Sequence, residues 1–130
     1  MKFINPEKKN KSVFVDCVVD TGATYTWLPQ DLLSKIEVLP SFEREFKIAG
    51  GSIIKREMAE VLVFLKGEAM HTLVAFGDKN SEPLLGAVTL EEFGLTADPV
   101  NETLKPVPGL LLGKLTGLKK SRKEEFVNGK

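Results

Sequence analysis

Apolar positions along this chain come in short runs broken by glycine, proline and charged residues, a pattern that favours strands over long helices. Val13 to Val19, rich in β-branched residues and interrupted by Asp16 and Cys17, predicts a mostly buried strand that leads into a turn at Asp20-Thr21-Gly22. Tyr25 to Leu28 continues extended until Pro29, and Asp31 to Ile36 has apolar spacing suited to one or two helical turns. The segment from Phe46 to Ile54 predicts a β-hairpin, because Gly50 and Gly51 at its centre supply the positive φ angles of a tight turn. Ala59 to Lys66 and Ala69 to Phe76 predict two further strands joined by a turn at Gly67.

Leu84-Leu85-Gly86 reads as a brief buried run, and a short helix is predicted over Thr89 to Phe93. Thr89 and Glu92 have capping-box spacing there, and Gly94 stands where a helix-ending residue belongs. Leu95 to Asp98 and Thr103 to Val107 predict a last hairpin around Pro99-Val100-Asn101. Many short strands with one short helix predict an all-β, barrel-like domain. Pro106-Val107-Pro108-Gly109 marks its edge. Residues 1–109 would form the domain, and 110–130 an extension that is first apolar and then basic.

A chain of 130 residues can bury one modest core. The formal net charge is zero, which gives no basis for bulk binding to nucleic acid or to an anionic membrane. Cys17 is the only cysteine, so an intrachain disulfide is excluded and a reducing compartment is the simpler setting. The first residues lack the apolar region of a signal peptide, and no apolar run would span a bilayer. The expectation is a cytoplasmic protein without a cofactor. His71 is the only histidine, which gives little basis for a histidine triad or a metal-ligand cluster, and it reads as a surface strand residue. Cys17 reads as a small buried hydrophobe and Asp16 as a solvent-facing residue.

The candidate chemistry lies in Val18-Val19-Asp20-Thr21-Gly22-Ala23-Thr24, which occurs once. A carboxylate at a strand end, followed by a glycine turn, is held rigidly at the sheet surface. Two such groups at close range cannot both ionise easily. One can then act as general base on a water while the other, protonated, donates to a carbonyl oxygen. The Thr21 hydroxyl can hydrogen-bond across such a pair, and Gly22 lets backbone amides approach the carboxylates. With one aspartate of this kind per chain, the second must come from another copy.

The order of features resembles the retropepsin-like family, the single-domain aspartic proteases that include the retroviral enzymes and their cellular relatives. An apolar pair precedes Asp-Thr-Gly-Ala; a glycine-tipped hairpin follows, and then Leu84-Leu85-Gly86 before a helix. The likeness extends over roughly residues 12 to 107. It implies a closed β protomer active as a homodimer, with Asp20 of each subunit meeting at the dimer axis and with Thr21 and Gly22 completing the catalytic loop. Gly50 and Gly51 would tip a flap over a peptide or protein substrate, and Ala23, Ile48, Ile53 and Leu84 would line its site. Together with Trp27 and Ile54, these side chains would favour apolar residues around the scissile bond. Retroviral members carry an arginine after the second glycine and an acidic residue four after the catalytic aspartate, where this chain has Ala87 and Thr24. Both partners of that ion pair are replaced together, so no charge is orphaned. The alternative function is a non-catalytic dimerisation or peptide-binding domain. The intact Asp-Thr-Gly argues against it, since a scaffold has no need of like charges at its interface.

Overall fold

The computed structural model describes residues 1–101 and 103–109. Its strands are β1 (Lys2–Asn5), β2 (Lys8–Phe14), β3 (Val18–Val19), β4 (Thr26–Pro29), β5 (Phe42–Lys47), β6 (Ile53–Leu65), β7 (Glu68–Gly77), β8 (Leu84–Leu85), β9 (Leu95–Asp98) and β10 (Thr103–Pro106). Two short helices accompany them, α1 (Gln30–Lys35) and α2 (Ala87–Glu92). The main sheet has the order β2-β1-β6-β7-β4-β8-β3, with β5 paired to β6 alone, and β9 with β10 makes a separate hairpin.

The all-β expectation holds, with two differences of form. No pairing joins β2 to β3 among the described residues, so the main sheet is not closed into a barrel. Helix α1 is a second helix, in the segment whose spacing suited one or two turns. It ends where Glu37 takes a left-handed φ of 62°.

The core follows from alternation. Along the second half of β6, Ala59, Val61 and Val63 point inward, and Val74 of β7 and Phe3 of β1 meet them. Leu28, Leu33 and Ile36 close this cluster from β4 and α1. Each fully buried Val, Leu, Ile or Phe side chain among them contributes about 1.5–3 kcal/mol. A smaller cluster of Leu85, Leu90 and Leu95 lies under α2. Half-buried Cys17 and Phe93 touch both.

The predicted strand over Val13 to Val19 divides in two. β2 ends at Phe14 on the sheet edge, where it pairs with β1, whereas β3 lies at the opposite end beside β8. The chain crosses between them with Val15 buried and its amide bonded to the Met1 carbonyl at 2.9 Å. Phe14 is left 78% exposed, so the segment is less buried than its composition suggests.

The hairpin of β5 and β6 stands off this body. From Ile53 to Glu57 no residue of β6 is buried, and burial begins at Met58, where pairing passes from β5 to β7. Residues 110–130, the expected extension, lie outside the described residues.

Candidate active site

Asp20 ends β3, and its place follows from a crossing of strands. β3 and β4 are consecutive in sequence, yet β8 inserts between them, parallel to β3 and antiparallel to β4. Asp20 N–H donates to the Leu85 carbonyl at 3.0 Å, which carries the ladder one residue past the strand. The chain then turns back on itself. Ala23 N–H donates to the Asp20 carbonyl at 3.1 Å, and Gly22 N–H donates to Asp20 Oδ1 at 3.0 Å. One carboxylate oxygen is thereby fixed by the main chain of its own loop, and Thr21 and Gly22 remain exposed beside it.

The far side of the loop is fastened to α2. Ala87 N–H reaches the Ala23 carbonyl at 2.8 Å and Val88 N–H the Thr24 carbonyl at 2.9 Å. These bonds engage both Ala87 and Thr24. Gly86 lies so close to this loop that a Cβ there would fall on the Tyr25 carbonyl and come within 2.9 Å of Thr26 N. Both are backbone atoms, so only glycine fits the contact.

Beneath the loop lies a buried hydroxyl network. Thr26 Oγ1 accepts from Gly86 N–H at 3.1 Å and lies 2.7 Å from Thr89 Oγ1, which is in turn 2.8 Å from Thr72 Oγ1. The predicted capping box at Thr89 is therefore not formed. α2 begins two residues earlier, Gly86 occupies its cap without a side-chain bond, and Thr89 points inward. The helix still stops as expected, at Gly94 with φ 64°.

Leu84 is half-buried in β8, opposite Val18 on one side and Trp27 on the other. The hairpin tip has Gly50 and Gly51 at φ 93° and 92°. It is held by bonds from Ile48 N–H to Ser52 O at 2.9 Å and from Gly51 N–H to Ile48 O at 3.0 Å. Ile48 and Ile53 flank it, 44% and 62% exposed. The fold thus joins Asp20, Ala23 and Leu84 in one packed unit and carries Ile48, Gly50, Gly51 and Ile53 on a separate projecting arm.

Aromatic rings connect arm and unit. Phe46 of β5 lies 4.9 Å from the Trp27 ring and 6.1 Å, edge to face, from the Tyr25 ring. Arg44 Nη1 donates to the Tyr25 hydroxyl at 2.8 Å, and Arg56 pairs with Asp78 at 2.7 Å. Tyr25 and Trp27 thus meet the arm, and the alternation Thr26 and Leu28 inward, Tyr25 and Trp27 outward was the signal for it in sequence. Arg44 and Phe46 carried no comparable signal.

Asp16 and His71 fall as their sequence context suggested, whereas Cys17 is half-buried where a fully buried residue was expected. Asp16 is exposed, and His71 is exposed with Nδ1 3.3 Å from Glu60. Burial pushes the Cys17 thiol up to about 11, far from the range of a nucleophile. Among the described residues no group of His, Cys, Asp or Glu could hold a metal, and no helix is long and apolar enough to cross a membrane.

No protein-family model and no curated protein matches the chain. Among solved structures it is similar to an EIAV protease in complex with an inhibitor, at 19% identity and a TM-score of 0.48 over 75% of this chain and 82% of that one. It is also similar to a foamy viral protease–reverse transcriptase in complex with an RNA/DNA hybrid, at 19% identity and a TM-score of 0.48. That likeness covers 85% of this chain and 13% of the viral one.

Proposed function

We propose that this chain is a homodimeric aspartic endopeptidase, with residues 1–109 as its catalytic domain. The observation that carries this reading is the setting of Asp20, a carboxylate on an exposed loop, held by Gly22 N–H and by the backbone ladder of β8. Rigid support around an accessible carboxylate is what a preoriented acid–base group requires.

In the dimer, Asp20 of each subunit faces one water. One carboxylate takes a proton as the water attacks the scissile carbonyl, and the protonated partner donates to the carbonyl oxygen. Thr21 hydrogen-bonds across the pair. The peptide lies extended between this loop and the arm, as an added strand, and Gly50 and Gly51 form the lid above it. Ala23, Ile48, Ile53 and Leu84 present small and branched apolar surfaces to the residues around the cleaved bond. The backbone bonds to Ala23 and Thr24 give the loop a support that needs no ion pair. We assign the enzyme to the cytoplasm, which suits its single, half-buried cysteine.

The test is a peptide-library digest with the wild type and Asp20→Asn in parallel. Cleavage by the first and none by the second is the expected result. Equal cleavage by both overturns the mechanism, and binding without cleavage by either favours a peptide-binding domain.

A further inference from the structure

Arg44 and Arg56 stand directly opposite each other across the β5–β6 hairpin. Like charges at opposed positions repel, and the face they share offers no carboxylate, since its other residues are Phe42, Phe46, Ile54 and Met58. Glu43 and Glu57 are also opposed, but on the other face, where Lys55 lies diagonal to Glu43. The two arginines have different fates. Arg56 reaches Asp78 at 2.7 Å and is neutralised. Arg44 makes no ion pair among the described residues, and neutral groups hold it instead. It donates to the Tyr25 hydroxyl at 2.8 Å, with its guanidinium 5.6 Å from the centre of the Tyr25 ring and 5.2 Å from that of Phe42.

A guanidinium held by a phenol and two ring faces keeps its full charge and most of its N–H donors. Arg44 is exposed, so those donors are open to a ligand. Its anchor, Tyr25, belongs to the segment that carries Asp20, just ahead of β4. Arg44 also shares its face of the arm with Phe46, which packs on Trp27.

We propose that Arg44, positioned by Tyr25, recognises an aspartate or glutamate side chain of the peptide substrate at one position away from the scissile bond. This deepens the endopeptidase reading and rests on it. Apolar contacts select residues at the cleaved bond, and one fixed, unneutralised cation selects an acid further along the extended chain.

The experiment uses pairs of peptides that differ only in Glu or Gln at each flanking position. Cleavage by the wild type and binding to Asp20→Asn, by fluorescence anisotropy, are both measured. Glu should be preferred at one position by about 3- to 10-fold, a span set by exposed ion pairs and charge-assisted hydrogen bonds. The preference should shrink as salt is added. Arg44→Gln should bring the ratio to unity, and Arg44→Glu should reverse it in favour of a Lys peptide, an outcome that mere loosening of the arm would not produce. Tyr25→Phe should reduce the ratio part of the way. Equal handling of Glu and Gln at every position, or a preference that survives Arg44→Gln, overturns the proposal. The two readings fail separately. An Arg44-dependent preference in binding without cleavage removes only the protease reading, and cleavage without the preference removes only this one. Absence of both cleavage and binding removes both.

Discussion

The hydroxyl oxygens of Thr26 and Thr89 lie 2.7 Å apart, and both residues have 0% exposure. They join the strand after the Asp20 loop to the helix after Gly86. Because Thr26 accepts from Gly86 N–H, its own hydrogen is free for Thr89, and Thr89 can pass one to Thr72. A buried hydroxyl without a partner bears its full desolvation penalty, so such a network is stabilising only when complete.

Thr89→Val keeps the shape of the side chain and removes the central link. It should cost about 1–3 kcal/mol of stability, since hydroxyls on two neighbouring elements lose their shared partner. The measurement is urea unfolding of both proteins, and an unchanged midpoint would mean that the network contributes nothing. If the same elements hold Asp20 in place, turnover should fall further than the fraction of unfolded protein accounts for.

Much of the arm and of the Asp20 turn was legible because local chemistry dictates them. Gly50-Gly51 and Gly67 mark turns by their conformational freedom, and Gly94 ends a helix for the same reason. Thr89 misled because capping-box spacing is a local signal, whereas its burial is imposed by Thr26 and Thr72, distant in sequence. Val13 to Val19 misled in the same way. Its β-branched residues suit a strand, but the two ends of the run belong to opposite ends of the sheet. Lys2 to Asn5 gave no strand signal alone and is extended because β2 and β6 flank it. Pairing partners of this kind are absent from any window of sequence.

Cys17 should be inert toward thiol reagents in the native state. Burial favours the neutral thiol and moves its titration from an ordinary 9.0 to about 11, with Asp16 adding slightly and the N-terminal ammonium opposing. Only the thiolate reacts. At pH 8 native protein should therefore react far more slowly than protein unfolded in urea, with the rate rising as pH approaches 11. The sign for stability follows. The fold favours the protonated form, so this contribution is complete below the ordinary value and is lost as pH rises through the folded one. A native rate equal to the unfolded rate at pH 8 would contradict the burial argument.

Valine at Gly50 or Gly51 should impair turnover while leaving the fold in place. A Cβ at either position meets nothing within 4 Å, so the penalty is backbone strain alone, with φ 93° and 92° disfavoured for a branched residue. That strain amounts to about 1–3 kcal/mol at an exposed tip far from the core. A lid must open to admit substrate and close to exclude water, and a tip that changes its turn can do neither well. Thermal midpoints should fall no further than that strain accounts for, and kcat/KM should drop more than tenfold, a loss of about 1.4 kcal/mol or more in transition-state stabilisation. Hydrogen exchange over residues 48–52 should slow when a peptide binds. Exchange that is unchanged by peptide would argue against a lid.

Because each chain brings one Asp20, activity should belong to a dimer. On dilution, specific activity should fall as subunits separate, and the fall should follow the loss of dimer seen by sedimentation in the same buffer. Asp20→Asn should abolish cleavage and leave the monomer's fold intact, since the main-chain bonds to Leu85 and from Ala23 do not involve the carboxylate. The bond from Gly22 N–H to Oδ1 survives as well if the amide oxygen takes that side. The same substitution removes the electrostatic cost of bringing two carboxylates together, so the variant dimer should hold together at least as tightly as the wild type. Mixing excess inactive variant with wild type should then suppress activity, because wild-type chains become trapped in heterodimers with one carboxylate. A monomer with full activity, or wild-type activity that persists in the mixture, would mean that one chain suffices and that the second catalytic group lies within it.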